Sequence, residues 1–243
     1  MVKSWLKLFR VVNIPTVPGD VFVGAAAVSA FSTAQTAPLP GAVCAAAAAS
    51  VCIYLFGLVD NDIVGSRHDS GRPIPDGEIS LASARVARFL CLLTATVIAA
   101  AADLPRFWWM FAFILLCQIF NYNRVKNSLL MGCCRGFNVL AGAAACGMSG
   151  ANGATAAAVV FALIWTAYIT AVTKYSEGED ADPERKRQVG FFIGAIVYLQ
   201  LTALLVCFLL RPVAMTRDLL VAGAAMLVML RLFKRVFPKV SAS

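Results

Sequence analysis

Ten of the 13 acidic residues fall in two short stretches, Asp60 to Glu78 and Lys174 to Arg187, so carboxylate chemistry has only two places to occur in quantity. The first reads Asp60-Asn61-Asp62-Ile63-Val64-Gly65-Ser66-Arg67-His68-Asp69 and continues to Arg72-Pro73-Ile74-Pro75-Asp76-Gly77. Asp62 and Asp69 are seven residues apart, so one helical stretch would present both on one side. Hard oxygen ligands of this kind suit Mg²⁺, which keeps several waters and is completed by phosphate oxygens of a substrate. Arg67 and Arg72 add forked donors for the same phosphates. In the second stretch Glu177 and Asp180, with Glu179 or Asp182, could hold a second Mg²⁺, and Lys174 stands beside them. The bland alternative for both stretches is solvated charge that keeps a loop out of lipid.

Other polar residues stand inside apolar runs, where an ionisable group is costly and usually faces a partner or a polar cavity. Asn13 and Asp20 share a helical face, and so do Arg135 and Asn138. A substrate contact and a structural hydrogen bond are equally open for Asp20, and snorkelling competes with phosphate binding for Arg135. Asn121-Tyr122-Asn123-Arg124-Val125-Lys126 joins amides, a phenol and two cations at the end of another run. No Walker sequence, dinucleotide glycine pattern or nucleophile elbow occurs.

The elements that must position these residues are membrane helices. At 60% hydrophobic and 14% charged, with a mean hydropathy of +0.78, the 243 residues exclude an ordinary soluble domain. Apolar runs of about 20 residues match the ~30 Å hydrocarbon core. They predict eight spans, at about 11–34, 40–60, 81–102, 107–123, 133–150, 153–173, 189–210 and 215–233. The expected fold is an all-α polytopic bundle forming one domain, residues 1–243. Ser80 is expected to cap the third span, after a turn at Asp76-Gly77.

Basic residues test the count. Eighteen of the 21 lysines and arginines lie at the termini or in even-numbered connections, leaving Arg106, Arg211 and Arg217 on the other side. By the positive-inside rule both termini and both acidic stretches are expected on the cytoplasmic side, with the cell membrane as the location. The excess positive charge is thus a topology signal, and nucleic acid is not an expected partner. Pro15, Pro18 and Asp20 interrupt the first apolar run, so an uncleaved first helix is expected rather than a signal peptide. The eight cysteines show no metal-ligand spacing and read as small buried hydrophobes.

Asn61-Asp62 with Asp69, Arg72-Pro73-Ile74-Pro75 with Gly77-Glu78-Ile79-Ser80, Tyr122-Asn123 with Lys126, and the second acidic stretch together resemble the UbiA family of intramembrane prenyltransferases. The similarity runs over about residues 10–210, and Arg135-Gly136-Phe137-Asn138 resembles the EboC-like branch. The resemblance implies a helical membrane bundle in which two acidic loops hold Mg²⁺ and a prenyl diphosphate above a cavity open to lipid. It implies transfer of a polyprenyl group to a small lipophilic acceptor, with release of diphosphate. Carried over, Asp62, Asp69, Asp180 and Lys126 are catalytic, and Asp62, Asp69, Glu177 and Asp180 are metal ligands. Asn13, Asp20, Asn61, Arg72, Tyr122, Arg135, Asn138 and Lys174 contact substrate. The chain departs from the family at Gly65, where the first motif has an acidic residue, and in a looser second motif in place of DxxDxxxD. It also has eight expected spans where nine are common. These departures keep open a non-catalytic carrier or export component on the same fold.

Overall fold

The computed structural model describes residues 2–32, 41–66, 71–102, 127–148, 152–177 and 182–236. They form eight α helices and one 3₁₀ turn, without strands among the described residues. In chain order these are α1 (Val2–Leu8), the 3₁₀ turn Val11–Asn13, α2 (Thr16–Phe31), α3 (Gly41–Gly65) and α4 (Leu81–Ala101). After them come α5 (Ser128–Ala145), α6 (Gly153–Tyr175), α7 (Pro183–Leu210) and α8 (Ala214–Val236). The span expected at 107–123 lies outside the described residues.

Six segments are long and apolar enough to cross a membrane: 11–31 and α3 to α7. The chain is therefore an integral multi-pass protein. The last expected span is helical as α8, but it is not among these six; it carries Arg217, Asp218, Arg231, Lys234 and Arg235 near its two ends. Three boundaries differ from the apolar limits in ways that matter. A short α1 precedes the first span, its Leu8 buried with Val59 of α3, and its Trp5 and the following Phe9 pack against the same cluster. α3 continues five residues beyond the expected 60, so Asp60, Asn61 and Asp62 sit on a helix and not in a loop. α7 begins at Pro183, so Arg185, Lys186 and Arg187 belong to its first turns. Hydropathy locates the apolar centre of a helix; a capping group such as Asp182, accepting from the Glu184 and Arg185 amides, decides where it starts.

α2 is the axis of the bundle and packs on α3, α5, α6, α7 and α8. Lipid is as apolar as a leucine side chain, so helices gain by close van der Waals approach and favour small residues where they meet. A Cβ on Gly24 would strike the Val139 carbonyl of α5, and one on Gly142 would strike the Val21 carbonyl of α2. Gly132 and Gly136 play the same part between α5 and α6, against Thr170 and Thr166. Ala46, Ala47 and Ala49 of α3 are buried in the same core, as its alanine-rich composition predicts.

The contacts sort the helix ends. Leu8, Val59, Ile74, Ile79 and Ala84 cluster at one end, and Val12 just before α2 and Val197 midway along α7 pack with Leu230 near the end of α8. Tyr175 and Gln188 link the end of α6 to the start of α7. Ser29 with Arg211, and Cys146 with Met215, mark the opposite end. Both acidic stretches therefore begin at the same end of the bundle.

Candidate functional site

The first acidic stretch is built around the last two turns of α3. Asp60, Asn61 and Asp62 are all buried although they are the polar end of an apolar helix. Two arginines arriving from later in the chain make that burial tolerable. Arg88 of α4 binds Asp60 through Nη1 at 2.5 Å, and Arg72 reaches Asp62 through Nη1 at 3.3 Å. Arg72 is held by a folded loop. The Asp76 amide donates to the Arg72 carbonyl, the Ile79 amide to the Pro73 carbonyl, and the Gly71 amide to the Asp76 carboxylate. Gly71 and Gly77, both at φ 74°, allow the tight turns. Ile74 and Ile79 anchor the loop on α1, α3 and α4, and Lys7 donates to the Gly71 carbonyl. Ser80 caps α4 as expected, accepting from the Ser83 amide at 3.1 Å.

Below this the α1–α2 elbow, α3 and α5 pack together. Tyr54 is on α3, seven residues before Asn61 and so about 10 Å deeper along the helix. It lies beside Asn13, Arg10 and Arg135. Arg10 occupies the left-handed region at φ 42°, the only described non-glycine residue to do so, which turns the chain sharply between α1 and the 3₁₀ turn. It has no acidic partner among the described residues.

Asp20 lies deeper still and is wholly enclosed. Arg135 Nε of α5 pairs with its Oδ2 at 2.8 Å, Trp165 Nε1 of α6 donates to Oδ1 at 2.8 Å, and Gln200 Nε2 of α7 donates to Oδ1 at 2.7 Å. Arg135 Nη2 and Gln200 Nε2 also donate to the Thr16 carbonyl. Asn138 interacts with the same carboxylate. The side chain thus ties α2 to α5, α6 and α7.

The structure brings Asn13, Asp20, Arg135 and Asn138 into one region, and Asn61, Asp62 and Arg72 into another nearer the bundle end. Lys174 and Glu177 are exposed at the end of α6, and the Glu177 carbonyl accepts from Arg185. Asp182, an optional ligand by sequence, is engaged as the cap of α7. Asp69, Asp180, Lys126 and Tyr122 lie outside the described residues. Among the described residues no three His, Cys, Asp or Glu side chains converge as a metal site.

Three participants were not singled out from the sequence. Arg88 reads only as a topology marker, and Trp165 as one more aromatic in an apolar run. Gln200 could have been found, because an amide in the middle of a long apolar span needs a partner. A separate apolar hollow of about 320 Å³ between α6 and α7 is lined by Phe161, Trp165, Tyr168, Leu199 and Val206 among others.

No family model matches the chain, and no curated protein matches it. Solved structures do. A structure of digeranylgeranylglyceryl phosphate synthase is similar over 98% of this chain and 91% of that one, at 18% identity and a TM-score of 0.57. A UbiA homolog from Archaeoglobus fulgidus bound to GPP and Mg²⁺ matches over 97% and 87%, at 14% identity and 0.57. The same homolog bound to Cd²⁺ matches over 97% and 88%, at 15% identity and 0.55. At these identities the likeness establishes the fold: the chain is a UbiA-type bundle of membrane helices.

Proposed function

We propose that the protein is a Mg²⁺-dependent intramembrane prenyltransferase, moving a polyprenyl group from its diphosphate to a small lipophilic acceptor. The observation that carries this reading is the burial of Asp60, Asn61 and Asp62 at the end of α3, with Arg72 folded back over Asp62. An apolar helix has no structural need for three consecutive polar residues there. The UbiA homolog with GPP and Mg²⁺ on the same fold supports a diphosphate as the ligand.

The donor set fits the metal. Mg²⁺ is usually held by one or two carboxylates plus phosphate oxygens and waters, and Asp62 with Asn61 supplies hard oxygens. Asp69, Glu177 and Asp180 are the further ligands that the sequence offers. When bound, the metal supplies positive charge against the diphosphate leaving group. Arg72 and Arg10 add cations around the same charge, with Lys126 and Lys174 the further ones that the sequence offers, so the allylic C–O bond breaks with its electrons leaving on oxygen. The apolar helices below exclude water, so the allylic cation meets the acceptor first. The acceptor's proton leaves with diphosphate or solvent, and no side-chain nucleophile is required. The cytoplasmic side is assigned to this end by its basic residues.

The test is binding of geranylgeranyl diphosphate to the purified protein with Mg²⁺ and with chelator. Tight, metal-dependent binding that Asp62→Asn abolishes is the expected result. Absence of binding in a folded protein, across several chain lengths, would overturn the reading. It would favour a carrier for a hydrophobic metabolite, to which Gly65 and the use of Asp182 as a helix cap already lend weight.

A further inference from the structure

We propose that the seam between α7 and α8, toward the acidic end of the bundle, binds the head group of an anionic membrane phospholipid through Arg231, Lys234 and the Tyr198 hydroxyl. The site is separate from the carboxylates of α3 and does not depend on prenyl transfer.

α7 and α8 run antiparallel and meet closely, with Val197 beside Leu230 and the Leu204 side chain where a Cβ on Gly223 would stand. Along this seam Arg231 Nη2 donates to the Tyr198 hydroxyl at 2.9 Å. One turn nearer the acidic end Lys234 reaches across to α7, its Nζ 2.8 Å from the place a Cβ on Gly194 would take. Long basic side chains at a helix end ordinarily extend outward to water. These two converge on the neighbouring helix, three residues apart, where like charges repel.

Nothing acidic offsets them. Glu184 and Asp218 are the only acidic residues from 184 to 243, and they pair with Arg187 and Arg217. Each lies about 20 Å from the Tyr198–Arg231 contact, counted along its own helix. Residues 1–19, which pack alongside through Val12, contain no acid either. The cluster is therefore made of donors. Arg231 spends one N–H on Tyr198, Lys234 has no acceptor among the described residues, and the phenol, having accepted from Arg231, has its own proton to give. An anion rich in acceptor oxygens completes such a set, and phosphate is the common one.

The surface leading away from the cluster selects the kind of phosphate. Two exposed stripes flank the seam at helical spacing, Tyr198, Leu205 and Leu209 on α7 and Arg231, Val228 and Val221 on α8. An amphiphile with its phosphate on Arg231 and Lys234 lays its hydrocarbon along Leu205 and Val221. Phospholipids have that shape, and basic pockets between membrane helices are where anionic head groups collect. A head group of net negative charge is favoured over a zwitterionic one, whose own cation would meet two more.

The test is native mass spectrometry of the full-length protein in detergent micelles, titrated with dioleoyl phosphatidylglycerol or with dioleoyl phosphatidylcholine. The wild type is expected to hold one phosphatidylglycerol at least about tenfold more tightly, since each cation near an anionic lipid contributes about fivefold. Arg231→Gln with Lys234→Gln is expected to abolish the preference. Each single substitution is expected to lower it about fivefold, which keeps the site testable if the double variant does not fold. Lys3→Gln with Arg85→Gln removes the same charge from exposed positions elsewhere and is expected to leave the preference intact. Equal binding of the two lipids by the wild type overturns the proposal, as does a preference that survives loss of Arg231 and Lys234. Loss of the preference in the Lys3 and Arg85 variant also overturns it, because diffuse net charge would then be the attraction. Displacement of the bound phosphatidylglycerol by geranylgeranyl diphosphate with Mg²⁺ overturns the assignment to a membrane lipid and gives the site to a prenyl diphosphate.

Discussion

Asp20 and Asp62 are both buried aspartates in apolar helices, yet their surroundings assign them to different work. Asp20 is closed by Arg135, Trp165 and Gln200, donors from three helices that hold both of its oxygens. Asp62 sits one turn from the end of α3, and its arginine approaches at 3.3 Å with a side chain 33% exposed. A carboxylate enclosed by protein donors from three helices is out of reach of an entering metal. One that is paired with a partly solvated arginine can exchange that partner for a cation and a phosphate at small cost. The comparison teaches that burial alone does not mark a functional acid in a membrane bundle; its place along the helix and the solvation of its partner do.

The sharpest way to break this contrast is to remove one donor from each carboxylate. Arg135→Ala strands a charge in the centre of the bundle and is expected to cost about 3–5 kcal/mol, the range for breaking a buried pair. Reversible denaturation in mixed micelles would measure it, and a loss below about 1 kcal/mol would mean that Asp20 is not enclosed as described. A second probe alters the packing that brings the donors together. Gly142→Val forces a side chain against the Val21 carbonyl and is expected to cost about 1–3 kcal/mol. The same change at Gly71 or Gly77 meets no neighbouring atom, and its cost comes from the positive φ alone.

At the other carboxylate the expected effects on stability are smaller and those on ligand binding larger. Arg88→Ala leaves Asp60 near the bundle end, where water can reach it, so a loss of about 1 kcal/mol is expected from the same denaturation experiment. Asp62→Asn is expected to change stability by no more than about 0.5 kcal/mol while abolishing thermal protection by a prenyl diphosphate with Mg²⁺. Should Asp62→Asn unfold the protein, Asp62 would belong with Asp20 as a structural group and the distinction would fail. Chelation of Mg²⁺ is expected to remove the ligand-dependent protection and to leave the intrinsic unfolding midpoint of the wild type unmoved.

Much of this was legible from the sequence because it depends on local quantities. The length of an apolar run decides whether it can span hydrocarbon, and α3, α4, α6 and α7 fall where those runs are. The alternation of basic residues placed Asp62 and Lys174 at the same end of the bundle. Ser80 followed by a helix, and Asp76-Gly77 before it, are short-range signals that the backbone obeys. The end of α3 was less legible: hydropathy stops at Asp60, whereas the helix runs on to Gly65 because Arg72 and Arg88 compensate the charges that would otherwise end it.

By itself, then, the sequence determined the class of molecule, the places of most spans, and the two stretches where acids gather. Only the tertiary structure decided which acids are spent. Asp20 finds Trp165 and Gln200 at separations of 145 and 180 residues, and Arg135 reaches back 119 residues to the Thr16 carbonyl. Hydropathy is blind to such choices, since every helix in lipid is similarly apolar and its neighbours are selected by close fit at glycines such as Gly24 and Gly142. That fit, a property of paired surfaces and not of any one segment, separates the carboxylate that braces the bundle from the one that stands beside Arg72 at its end.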